Sequence, residues 1–170
     1  MGECAESTGG SAANTMAGIA SLGGTGAFFG KVRRDELGHT FARDLRAIGV
    51  RFDSAAAADG PATARCLIIV TPDAQRTMNT YLGAGVHLGP ADVDAAVVAE
   101  SQVTYLEGYL WDPPQAKEAF VKAAEIAHKA GRKVALSLSD AFCVDRHRAS
   151  FRELVDGHVD ILFANESEIK

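Results

Sequence analysis

Cysteine is scarce in this chain: Cys4, Cys66 and Cys143 are odd in number and far apart, which excludes a disulfide framework and leaves reduced, partly buried thiols as the expected state. The histidines at 39, 87, 128, 147 and 158 form no His-x-x-x-His pair, so no structural zinc is expected. Neither Gly-x-Gly-x-x-Gly nor Gly-Lys-Ser/Thr occurs, which sets aside the dinucleotide fingerprint and the Walker loop. No apolar run approaches the length of a bilayer, and the first residues lack the basic and apolar regions of a signal peptide, so the cytoplasm is the expected location, with no membrane partner. Met1-Gly2 invites N-myristoylation, but Glu6 stands where that motif wants Ser or Thr. With no secretory route, Asn165-Glu166-Ser167 matches the glycosylation sequon only formally. Positive charge is in deficit, 17 Lys and Arg against 22 Asp and Glu, with no basic stripe or aromatic ladder, which argues against a nucleic-acid partner.

What is present suits one domain: 170 residues, 47% hydrophobic and 23% charged. Its organising stretch is Gly9-Gly10-Ser11-Ala12-Ala13-Asn14, continuing as small residues to Gly23-Gly24. A Gly pair leaves the backbone without Cβ atoms where a ligand can approach, and Ser11 is placed to cap a helix that Gly23 ends. Asn14 then lies in the first turn, where it offers a donor and an acceptor to a ligand hydroxyl beside unpaired backbone N–H groups. A polyol suits such a site. The same residues also fit a Gly-rich turn before a small-residue helix packed on a sheet.

Gly26 to Gly30 reads as a short buried strand, and Asp35 caps a helix with Leu37, Phe41, Leu45 and Ile48 at helical spacing and Gly49 at its end. Thr63 to Val70 and Arg76 to Leu82 are β-rich runs around a Thr71-Pro72-Asp73-Ala74 turn, a hairpin expected to stand out as a lid or an interface over 61–84. From Pro90, helices and strands alternate: Asp92–Ala99, Val103–Leu106, Pro114–Ala130, Val134–Leu138, Arg146–Val155 and Ile161–Phe163. That order predicts βαβ units and a parallel sheet. The Pro114 helix is expected to carry Glu118–Lys122 and Glu125–Lys129 pairs on its surface.

Ligands gather at the carboxyl ends of strands in such sheets. Three of those ends are polar: Glu107-Gly108, Ser139-Asp140, and Asn165-Glu166-Ser167-Glu168. Each also fits a solvated turn or a helix cap.

Gly-Gly-x-x-x-Asn, the small-residue helix, Gly26-Ala-Phe-Phe-Gly-Lys-Val32, Asp35, Gly38 and Ile48-Gly49-Val50 resemble, in register, the first signature of the ribokinase or PfkB family of carbohydrate and nucleoside kinases. Tyr105-x-x-Gly108 and Leu138-Ser139-x-x-Phe142 are similar to the adenosine-kinase branch. The resemblance implies a ribokinase-like three-layer α/β/α fold with a mainly parallel sheet and a small β lid, and ATP and Mg²⁺ as cofactors; the projecting hairpin is the expected surface for any homodimer. It implies Gly9, Gly10, Asn14 and Glu107 at the substrate and Asn165, Glu168 and Asp140 near metal and phosphate. The family's early substrate-binding Asp and its Gly-Ala-Gly-Asp catalytic motif have no counterpart here. The expectation is therefore a fragment, a partial kinase domain over 1–170 lacking the first strand and the catalytic half, with the catalytic Asp beyond Lys170. The implied reaction is phosphorylation of a primary hydroxyl of a ribosyl substrate, adenosine before ribose or fructose; the alternatives are a ribokinase- or fructokinase-type enzyme, or a non-catalytic sugar-binding fragment.

Overall fold

The computed structural model describes residues 5–170, so Met1-Gly2 and Cys4 lie outside the described residues. The chain divides into two units, 1–86 and 87–170.

In the first unit, helix α1 (Ser11–Ser21) and helix α2 (Glu36–Ala47) flank an extended segment. The cap of α1 is Gly10, not Ser11: Gly10 sits at φ 113, open to glycine, and this cap makes no side-chain hydrogen bond. Ser11 is instead the first helical residue, and its carbonyl accepts the Thr15 hydroxyl at 3.0 Å. The strand expected at 26–30 is reduced to isolated parallel bridges, Ala27 with Arg51 and Arg33 with Ala57, because no two consecutive residues pair. The core of this unit is Ala13, Val32, Leu45, Val50 and Phe52. Around Phe52, the rings of Phe28 and Phe41 close a triangle with centroids 5.5–5.7 Å apart, a tilted geometry that adds to burial. Strands β1 (Arg65–Val70) and β2 (Arg76–Tyr81) pair antiparallel with Arg65 opposite Tyr81. Ala74 takes φ 63 in the connection, and Leu67, Ile69, Val70 and Met78 are exposed.

In the second unit, the alternation gives a parallel sheet of order β3 (Val103–Glu107), β4 (Lys133–Ser137), β5 (Ile161–Phe163). Helix α3 (Ala95–Glu100) begins later than the expected Asp92, because Pro90–Asp92 forms a 3₁₀ turn and Asp94 accepts from the Ala96 and Val97 N–H groups. Helix α4 (Pro114–Lys129) buries its Ala116, Phe120, Ala123 and Ala127 face as the spacing requires. Lys122 reaches the Pro90 carbonyl at 2.6 Å rather than Glu118. Helix α5 (Ala141–His158) starts five residues before the expected Arg146, capped by Asp140, and bends at His147, whose φ of −129 is not helical. That bend hides the first turn from a periodicity reading. A last short turn, α6 (Glu166–Ile169), follows β5.

Asp35 ties the first unit together. Its carboxylate accepts from the Gly38 N–H at 2.9 Å, the Thr63 N–H at 2.9 Å and the Thr63 hydroxyl at 2.6 Å. Burial pushes this carboxyl up, but the Thr63 and Gly38 bonds and the Arg33 charge outweigh it and hold it below the usual range. A carboxyl lowered on folding stabilises above its unfolded value, and that stability is lost as pH falls through the folded one. Asp35→Ala is expected to cost about 1–2 kcal/mol in urea unfolding at neutral pH, with the difference from wild type shrinking toward pH 3.

Candidate active site

The residues singled out in the first unit sit at the start of α1. A Cβ built at Gly9 or Gly10 meets nothing within 4 Å, so the backbone there is open to a ligand. The Asn14 N–H donates to the Gly10 carbonyl at 2.8 Å, which fixes Asn14 on the first turn with its side chain exposed. Asn14 lines a groove of about 320 Å³ together with Thr8, Ala17 and Asp44, near the lower end of the usual size range for ligand sites. The Thr8 hydroxyl donates to Asp44 at 2.6 Å, and that bond, with Arg43, keeps the Asp44 carboxyl low.

In the second unit, the parallel register sets Glu107 opposite Ser137 at the carboxyl edge. Gly108 lets that edge close: a Cβ there would lie 2.6 Å from the Ser137 carbonyl and 2.9 Å from that of Leu138. Glu107 therefore reaches Ser139, whose hydroxyl donates to Oε1 at 2.5 Å, while the Tyr105 hydroxyl donates to Oε2 at 3.1 Å. The Tyr109 N–H donates back to the Ser139 Oγ at 3.0 Å. Burial first, then the charges of Asp140, Cys143 and Glu107, raises the Tyr109 phenol, which stays protonated and able to donate at neutral pH.

Asp140 caps α5, accepting the Cys143 N–H at 2.7 Å. Burial and then Asp140 push the Cys143 thiol up to about 11, so this buried free cysteine is a packing group; Cys66 is free as well.

Asn165 and Glu168 come together as a capping box. The Asn165 side chain accepts from the Ser167 and Glu168 N–H groups at 2.9 and 3.0 Å, and its amide donates to Glu168 Oε1 at 2.6 Å. The Asn165 N–H takes Oε2 at 3.1 Å, so both oxygens of the buried Glu168 are engaged locally. That donor set does not fit direct coordination of Mg²⁺, which wants carboxylate oxygens and waters around it. Among the described residues no three His, Cys, Asp or Glu side chains stand together as metal ligands.

Two features escaped the sequence reading. Ser139 was visible after a strand but unremarkable beside Asp140; only its φ of 74 distinguishes it. The other is Asp112, which accepts from Arg146 Nη2 at 3.1 Å and from His147 across the bend in α5, and is lowered by His147 and then Arg146. No local pattern announced that cluster.

The chain matches solved α/β structures over nearly its whole length. It is 58% identical to the adenosine kinase of Sinorhizobium meliloti, with a TM-score of 0.93 over 99% of this chain and 52% of that one. A probable sugar kinase from Rhizobium etli gives 56% identity and the same TM-score over 99% of this chain and 51% of its own. Fructokinase-2 of Solanum habrochaites is 30% identical over 125 residues, 72% of this chain and 38% of that protein. The chain thus spans about half the length of these solved structures and less of the plant relative. These similarities define a ribokinase-like kinase fold. A family model for pfkB family carbohydrate kinases matches residues 2–170, and the chain belongs to that family.

The capping box makes a direct prediction. Glu168→Ala removes the acceptor of the Asn165 N–H and is expected to cost about 1 kcal/mol, with faster hydrogen exchange at the amides of residues 165–168. Unchanged exchange there would show that Glu168 does not hold this turn.

Proposed function

We propose that this chain forms the substrate-binding part of an ATP-dependent kinase that phosphorylates a primary hydroxyl of a ribosyl compound, adenosine ahead of ribose or fructose. The observation that carries the reading is the strand-end carboxylate of Glu107, oriented by two hydroxyl donors. An ionised carboxylate accepts only, so it suits a ligand rich in hydroxyl donors. Asn14, on an open first turn beside Gly9 and Gly10 in the first unit, offers a donor and an acceptor of its own. The 58% identity to an adenosine kinase favours the nucleoside, and the fructokinase relative supports the sugar alternative.

Phosphoryl transfer depends on positioning and charge neutralisation more than on covalent work by the protein. In this proposal residues 9–14 of the first unit bind substrate hydroxyls, Glu107 of the second unit accepts from a substrate hydroxyl, and the 61–84 hairpin excludes water as a lid or pairs two copies through its exposed apolar residues. In this proposal Asp140, Asn165 and Glu168 lie near the metal and phosphate of the nucleotide and act on the ion through water rather than by direct coordination. The family's Gly-Ala-Gly-Asp base is not among the 170 residues.

Two measurements test this reading. Calorimetry on the chain with adenosine, ribose and fructose should find binding to one of them, weakened by about 1–3 kcal/mol in Asn14→Ala with the circular dichroism unchanged; equal affinity would remove Asn14 from the site. With ATP and Mg²⁺ the same chain should show no phosphorylation of any of the three. Turnover of about one per second, ordinary for kinases, would place the catalytic groups within 1–170.

A further inference from the structure

Ser139 is held in a backbone conformation that L-residues rarely adopt. Its φ is 74, and the Asp140 N–H closes on the Leu138 carbonyl at 2.9 Å, a three-residue turn of positive φ. Such turns are rare and strained, and strain of this kind persists where the surroundings over-determine it. Glycine would take the same turn without strain. What serine adds is its hydroxyl, which is fully engaged: it donates to Glu107 Oε1 at 2.5 Å, lies 3.4 Å from the Ser137 carbonyl, and accepts the Tyr109 N–H at 3.0 Å. The turn itself requires none of these three contacts. They connect the end of β4 to the carboxylate at the end of β3.

We propose that Ser139 is a positioning residue, whose strained turn aims the hydroxyl at Glu107 and fixes that carboxylate to accept a substrate hydroxyl. Oε1 is held by Ser139 and Oε2 by Tyr105, which leaves each oxygen a lone pair for a ligand and removes the rotamer freedom a half-buried Glu otherwise keeps. The identity of the ligand rests on the kinase reading; the positioning does not.

The experiment compares wild type with Ser139→Gly, Ser139→Ala and Glu107→Gln in the full 170-residue chain. Three-bond NMR couplings about χ1 of Glu107 should report one rotamer in wild type and averaged values in Ser139→Gly and Ser139→Ala. The melting temperature of Ser139→Gly should be unchanged or raised by about 1–4 °C as the turn relaxes. In calorimetry with adenosine, ribose and fructose, Ser139→Gly and Glu107→Gln should each weaken the ligand that binds by about tenfold, and the double variant should be no worse than Glu107→Gln alone. Couplings that stay single in Ser139→Gly, a lower melting temperature for that variant, or undiminished affinity would each overturn the proposal. If wild type binds none of the three compounds, the kinase reading fails for this chain, and the couplings and melting temperatures alone decide the role of Ser139.

Discussion

The approach of Gly108 to the Ser137 and Leu138 carbonyls is the contact on which the second unit's edge depends. With a Cβ 2.6 Å from a carbonyl oxygen, any other residue would force β3 away from the end of β4. Glu107 would then lose Ser139, and the Tyr109 N–H would lose its acceptor. Parallel pairing sets the register, Glu107 opposite Ser137, and the missing side chain at 108 turns that register into a contact between two strand ends. The order of events is covalent first: one absent methyl group permits the bond that orients the carboxylate.

The first unit solves a different problem with similar means. Among the described residues its core has no long ladder, and single bridges join the 26–33 segment to the 51–57 segment. The aromatic triangle of Phe28, Phe41 and Phe52 and the Asp35 carboxylate supply the cohesion that a sheet would otherwise give. Asp35 bonds both the first turn of α2 and the strap at Thr63, the latter 28 residues further along the chain. This explains why a helix cap is also a tertiary tie, and why its charge matters more than that of the exposed Arg51–Asp53 pair.

Much of this was legible in the sequence because it is local. The α4 face, the hairpin, the Asp35 cap and the alternation after Pro90 follow from spacing and from residues whose capping chemistry acts within three positions. The family also showed itself in the Gly-Gly-x-x-x-Asn stretch, where small residues occur in register with a known signature. The failures share a cause as well. Gly10 displaced Ser11 as a cap through a positive φ, the 26–30 segment lacked consecutive partners, and α5 bent at His147. Each depends on backbone angles or on pairing with residues far along the chain, which periodicity does not encode.

The acidic residues at the carboxyl edge illustrate the same division at the level of function. Sequence alone makes Glu107, Asp140 and Glu168 look equivalent, three carboxylates just after three parallel strands. Asp140 is turned back onto the N–H of Cys143, and Glu168 onto the N–H and amide of Asn165, so both serve the first turns of the helices they precede. Glu107 is followed by a 3₁₀ turn, Gly108–Leu110, whose cap makes no side-chain hydrogen bond, and among the described residues no backbone N–H donates to its carboxylate. Its partners are side-chain hydroxyls of residues 105 and 139, a short-range frame that leaves its outward lone pairs unassigned. A lone carboxylate framed this way repels phosphate and attracts hydroxyl donors. Under the proposed function it therefore belongs to the end of the site that meets the sugar, whereas the carboxylates of Asp140 and Glu168 are already committed to the helix starts beside them.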